Sequence, residues 1–295
     1  VALWVWLSLG AAFFQNLRSA LQKELSRRHG VVGATFARFL YAAPLACLAV
    51  AVIAFTGGPL PRPTPGFLAA VVIGGVSQVA ATLMLVRLFS LRNFAVGNTF
   101  AKTDTVQAAI IGALLLGDTL GPGPVAAILV SLIGILLLSG PVGFTQGILH
   151  RSATLGLGAG LGFAASGVAY RAAALALEGE AGSFMRAAVA LAAVTLFQTL
   201  TMGGWLLLRR PETVGGLLRD WRRAGLVGVA GMLASLGWFT ALALQPAALV
   251  KAVGQVELIL SYVTGRAVFG ERPGLREVLG ILLVASGIVA LVLTA

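Results

Sequence analysis

Apolar residues fall along this chain in ten long runs separated by short polar or basic breaks. The runs cover residues 1–22, 31–55, 66–86, 94–117, 122–140, 154–177, 183–208, 224–244, 247–269 and 274–294, and each holds 19 to 26 residues. About 20 apolar residues carry a helix across the roughly 30 Å hydrocarbon core of a bilayer. Only helices and closed barrels satisfy their backbone polar groups there. The pattern predicts an all-α integral membrane protein of ten transmembrane helices with the lipid bilayer as its surroundings. The connections are too short for a soluble domain; the longest, such as Leu208 to Ala224, read as basic surface loops. Val1–Leu21 is too long for the apolar stretch of a cleavable leader, and is expected to be a span.

The first five runs match the last five. A shift of 153 brings Gly112 onto Gly265, Gly117-Asp118 onto Gly270-Glu271, Gly134 onto Gly287, Asp104 onto Glu257 and Arg18 onto Arg171. Phe36-Ala-Arg38 meets Phe184-Met-Arg186 at a shift of 148, after a shorter connection. The halves are expected to divide as 1–145 and 146–295. Five is odd, so the second half enters the membrane in the opposite orientation. Inverted repeats of this kind are a transporter design, with the solute bound near the midplane between the halves.

Charge adds orientation. A mean hydropathy of +0.96 with 11% charged residues excludes a soluble globular chain. The net charge of +11 resides mainly beside the spans, which points to anionic lipid heads and away from nucleic acid. Loops after the odd-numbered spans hold thirteen cations, from Lys23 to Arg276; loops after the even-numbered spans hold only Arg62. Counting positive charge inside places both termini on the outer side. Cys47 stands alone, and neither His29 nor His150 has a ligand partner nearby in sequence, so no disulfide framework or metal site is expected. No phosphate-cradling loop or nucleophile elbow is present, and no enzyme activity or cofactor is expected.

Two copies of five spans, each ending in a glycine-acid turn and a glycine-rich last helix, resemble the EamA-type members of the drug/metabolite transporter superfamily. The matching pieces are Leu114-Leu-Leu-Gly-Asp118 before Val125–Gly140, and Ala267-Val-Phe-Gly-Glu271 before Glu277–Val292. The resemblance implies a multi-pass transporter, expected in a bacterial inner (plasma) membrane, with a small-molecule substrate. It leaves a proton or counter-solute as possible coupling partner. It names no substrate. Ten-span relatives mostly keep both termini inside, against the charge count here.

Charges inside spans are costly and usually face the bundle interior. Arg18, Arg38 and Asp104 form one set, repeated as Arg171, Arg186 and Glu257. One reading is structural: each carboxylate clamps an arginine of its own half. The other is that Asp104 or Glu257 takes up a coupling proton, which nearby arginines oppose. Arg18 and Arg38 also lie near span ends, where they can snorkel. On a continuous helix Lys102 points roughly 160° from Asp104, at about 100° per residue. Asn98 and Lys102 therefore share a second face, matched by Lys251 and Gln255. These four are candidate substrate residues, although Lys102 and Lys251 read equally as ion-paired or snorkelling. Softer candidates are Gln15, Asn16, Gln78, Thr82, Trp238 and Tyr262. Trp4 and Trp6 read as interfacial belt residues. The expected function is secondary export of a small organic metabolite, such as an amino acid or organic acid, by alternating access around a cavity touched by spans 1, 3, 4, 6, 8 and 9. The alternative is a flippase for a lipid or lipid-linked sugar; a membrane scaffold is disfavoured by the asymmetric polar interior.

Overall fold

The computed structural model describes residues 2–88, 100–138, 151–260 and 274–294. Regular structure among them is helical, apart from one isolated backbone bridge between Arg62 and Glu178. Leu3–Phe55, Pro65–Leu88, Arg151–Leu175, Ser183–Arg209 and Trp221–Leu244 are long and apolar enough to cross a bilayer. The first of these is two spans in one. Gly30, at φ 70° and ψ 174°, interrupts it, a left-handed conformation that costs any residue with a Cβ. Span 1 stays helical beyond its expected end at residue 22. Gln22 and Leu25 are buried, and Leu25 packs with Phe36, Leu206 and Leu217, so this last stretch has tertiary support that the sequence alone did not reveal.

Shorter helices complete the set: Asp104–Leu116 in span 4, Pro122–Leu138 in span 5, Ala247–Gly254 in span 9 and Leu275–Thr294 in span 10. Their packing carries the repeat into space. Span 1 lies on span 8, and its counterpart span 6 lies on span 3. Span 4 meets span 6, as span 9 meets the first helix. Spans 2 and 7, 4 and 9, and 5 and 10 each meet their own counterpart. Ten spans in two inverted five-helix repeats account for this pattern, in which each half supplies much of the other's packing surface.

Spans 5 and 10 cross at a repeated glycine. A Cβ on Gly134 would lie 2.7 Å from the Gly280 carbonyl oxygen and 2.8 Å from the Val284 nitrogen. One on Gly287 would lie 2.8 Å from the Ala127 carbonyl oxygen. Backbone meets backbone here, the reason small residues recur at such crossings.

Two expectations need correction. The Leu208–Ala224 connection is not a plain loop: Pro211–Arg219 forms a helix whose Leu217 is fully buried. The Tyr41 hydroxyl donates to the Leu217 carbonyl at 3.0 Å, and His29 and Asp220 meet at 3.2 Å beside it. Desolvation pushes the Asp220 carboxyl up, but hydrogen bonds from His29 and Arg223 outweigh it and hold it below its ordinary value. The second correction concerns the belt. Trp6 faces outward, whereas Trp4 is buried in the core. Two residues along a helix turn about 200°, so the pair cannot share a face.

Candidate substrate cavity

A cavity of about 280 Å³ lies between the halves, lined among the described residues by eight of the ten spans. Spans 5 and 10 stay outside it; spans 2 and 7 join the six that were expected. On span 1 the lining runs from Gln15 to Lys23 and includes nothing earlier, so the cavity is set toward the basic side.

The opposite side is knit together across the halves. Arg62 and Glu178 exchange backbone hydrogen bonds at 2.8 and 3.0 Å. The Thr64 hydroxyl donates to the Ala176 carbonyl at 2.9 Å. Arg171 grips Asp118 through Nε at 3.2 Å and Nη2 at 3.1 Å, and its Nη1 donates to the Leu242 carbonyl at 3.1 Å. The glycine-acid turn explains how Asp118 arrives there. Gly117 adopts a left-handed conformation at the end of span 4, and Asp118 curls back over Gly112, where a Cβ would stand 3.2 Å from its Oδ2.

Spans 4 and 9 both break at equivalent places beside the cavity. In span 4 the helix is interrupted at Lys102 and Thr103, and the Thr103 hydroxyl donates to the Phe100 carbonyl at 2.6 Å. In span 9 the break is at Gln255, the counterpart of Lys102. Span 6 leans into the first break through Gly160, whose Cβ position is 2.9 Å from the Ala101 carbonyl oxygen. The break overturns the two-face reading of span 4. That reading gave the two residues separate partners, but Lys102, inside the interruption, and Asp104, just after it, both reach span 9.

The clamp expected within each half is also corrected. Glu257 accepts from Lys102 at 2.8 Å, and Asp104 accepts from Lys251 at 2.7 Å, so both ion pairs cross between the halves. Gln255 adds a third link by donating to the Thr105 hydroxyl at 3.0 Å. Gln15 donates to Glu257 at 2.9 Å and accepts from the Trp238 indole at 2.9 Å. Asn16 has a long contact of 3.5 Å to the Glu257 carbonyl. Both lysines therefore line the cavity and are ion-paired at the same time. The acids occupy equivalent positions on the two spans, while the lysines are offset by one turn.

The four arginines have separate fates. Arg171 serves the Asp118 contact. Arg186 donates to the carbonyls of Ala181, Leu177 and Gly179 at 2.6 to 2.9 Å, which fastens the turn after span 6. Neither lines the cavity. Arg18 and Arg38 do, and neither snorkels: they are 3% and 7% exposed. Arg38 donates to Thr82 at 3.2 Å. With the Gln78 amide oriented to satisfy all its neighbours, its oxygen accepts from both terminal nitrogens of Arg38 at 2.9 and 3.0 Å, and its nitrogen donates to Ser166 at 2.7 Å. Thr82 thus supports the cavity from behind. Arg18 makes no hydrogen bond or ion pair with any described residue, and its Nε is buried without a partner. Among the described residues Arg18, Arg38, Lys102 and Lys251 line the cavity against two carboxylates, Asp104 and Glu257, and the exposed Lys23 also belongs to the lining.

Among the expected residues Gln15, Asn16, Gln78, Lys102, Trp238, Lys251 and Gln255 meet in this lining. Asn98 and Tyr262 lie outside the described residues. Sequence reasoning missed a wall from the second half: Ser166 and Tyr170 on span 6, Thr195 and Gln198 on span 7, and Phe239 on span 8. Tyr170 stacks on Phe239 at 4.2 Å between centroids and donates to the Gly74 carbonyl at 3.2 Å. Gln198 donates to the Gly75 carbonyl at 3.1 Å. The spacings of four and three residues in spans 6 and 7 were a usable signal, the one that had singled out Gln78 and Thr82.

Inverted repeats, discontinuous spans and a polar cavity at their junction define the class: a multi-pass membrane transporter of small molecules. The model of the EamA-like transporter family matches residues 2–140 and again 150–293, and the chain belongs to that family. No curated protein matches it. A solved crystal structure, titled only as that of a protein, superposes with a TM-score of 0.64 over 97% of this chain and 99% of its own, at 18% identity. That likeness is one of fold.

Proposed function

We propose that the chain is a secondary transporter that exports a small organic metabolite with an anionic group, such as an amino acid or an organic acid, by alternating access around the central cavity. The observation that carries this reading is the charge of the lining: Asp104 and Glu257 are each matched to a lysine, and Arg18 and Arg38 have no carboxylate partner among the described residues. Cations in a low-dielectric cavity draw anions and repel cations. A lining drawn from eight spans of both halves suits a solute carrier; a flippase needs a polar groove open sideways to lipid. The positive-inside count turns the basic side, toward which the cavity is set, to the cytoplasm. The knit side, with its Arg171–Asp118 contact, then faces outward, an arrangement suited to loading from within. Asn98 and Tyr262 stay among the proposed substrate residues, and the division at residue 145 remains the proposed boundary between halves. Counterflow into proteoliposomes, with a panel of labelled amino acids, organic acids and organic cations, tests the reading. Saturable exchange of a carboxylate-bearing solute is expected. Exchange confined to cations, or lipid scrambling without solute exchange, would sink it.

A further inference from the structure

Arg18 and Arg171 occupy the same place in the two repeats, yet only one is satisfied. Arg171 has three polar partners in Asp118 and Leu242. Arg18, 3% exposed, has none among the described residues, and Glu257 acts on it only through space. Its Nε is buried with no partner while the residue lines the cavity, and a charge so enclosed has lost most of its water without gaining a counter-charge in contact. Gly231 sets its place: a Cβ there would stand 3.3 Å from Arg38 Cγ and 3.4 Å from Arg18 Cδ, so glycine lets span 8 lie against both stems. Arg38 is held from behind by Gln78 and Thr82 and adds a second positive charge.

Resting on the reading above, we propose that Arg18 is the seat of the substrate's oxyanion, a carboxylate or a phosphate, and that the substrate is an organic acid and not a zwitterion. The guanidinium fork suits either oxyanion in bidentate fashion. The second half of the proposal comes from the acids. A zwitterion brings an ammonium that needs a carboxylate of its own, and the two carboxylates in the described lining are already engaged: Glu257 by Lys102 and Gln15, Asp104 by Lys251. Tyr170, Phe239 and Trp238 offer an apolar surface for the rest of the molecule.

Four probes with one body and four charge patterns test this: 3-phenylpropionate, phenethyl phosphate, L-phenylalanine and phenethylamine. Each is titrated against the purified full chain, as wild type, Arg18→Lys and Arg18→Gln, with thermal unfolding recorded alongside. Wild type is expected to bind one or both oxyanions at least roughly tenfold more tightly than the zwitterion or the cation. Carboxylate alone, phosphate alone or both identifies the group that the fork takes. Arg18→Gln is expected to lose at least that factor for the oxyanions and Arg18→Lys to keep part of it. Without ligand, Arg18→Gln is expected to melt no lower than wild type, because it removes an unpaired charge; an arginine that only holds the fold together would show the reverse. Three outcomes overturn the proposal: oxyanion binding by Arg18→Gln at wild-type strength, L-phenylalanine bound as tightly as 3-phenylpropionate, or no oxyanion bound by wild type. Anion counterflow with undiminished Arg18→Gln activity removes this site but leaves the transport reading standing. Anion binding at Arg18 without any counterflow does the opposite.

Discussion

Removing one end of an ion pair between spans 4 and 9 is expected to weaken the protein far more than removing both ends together. Lys251 Nζ lies 2.7 Å from Asp104 Oδ2, with both side chains 16% exposed. At an effective dielectric of about 20, opposite unit charges roughly 2.7 Å apart attract by about 6 kcal/mol. Desolvating the two ions costs several kcal/mol each and offsets most of that, so the intact pair contributes little net stability. The asymmetry appears when one partner goes. Asp104→Asn leaves the Lys251 ammonium in the cavity wall, with Gly167 packed against its stem at 2.8 Å from Cε to the glycine's Cβ position. A loss of roughly 3–5 kcal/mol is expected for Asp104→Asn or Lys251→Met alone. The double variant removes both charges and should recover much of that, with a coupling of about 2 kcal/mol or more. Denaturant unfolding in mixed micelles, run as a double-mutant cycle, measures all three quantities. Single losses below about 1 kcal/mol that simply add would mean a solvated pair, and the account of spans 4 and 9 as zipped across the halves would be wrong.

Arg171→Lys should keep the charge but lose the fork that grips Asp118 and Leu242; a cost of about 1–3 kcal/mol is expected in the same assay, and an unchanged midpoint refutes it. Gly134→Ala puts a Cβ within 2.8 Å of backbone atoms at Gly280 and Val284; spans 5 and 10 must part, at an expected loss of roughly 1–3 kcal/mol that Gly204→Ala, with nothing within 4 Å of its Cβ position, should not share beyond its helix propensity. Asp220, held below its ordinary value in the folded chain, contributes stability that is present above its unfolded value of about 4 and lost as pH falls through the depressed folded value. Asp220→Asn should therefore flatten the acid side of a stability–pH curve between roughly pH 5 and 2, and an identical slope in the variant would contradict the assignment.

Spans, their number and the duplication were legible in the chain because the bilayer imposes a length and a hydropathy on each crossing helix. An odd number of spans per half then makes the inversion a matter of counting. Gly134 and Gly287 were legible as matching positions of the duplication, and the structure shows that spans 5 and 10 meet backbone to backbone there. The interior charges were visible as candidates but not their pairing. Lys102 and Glu257 are 155 residues apart, and Lys251 and Asp104 are 147 apart; which cation meets which acid depends on how two halves interlock. Periodicity also assumed that span 4 is one helix. The helix is interrupted at Lys102 and Thr103, where a side-chain hydroxyl takes up a backbone carbonyl, and both Lys102 and Asp104 pair with span 9. Arg18 and Arg171 look alike in sequence, and only the tertiary structure separates them: Asp118 reaches Arg171, while Arg18 is left facing the cavity. Hydropathy is a property of each segment and can be read from it. Charge compensation is a property of pairs, and only the packing of one half against the other decides it.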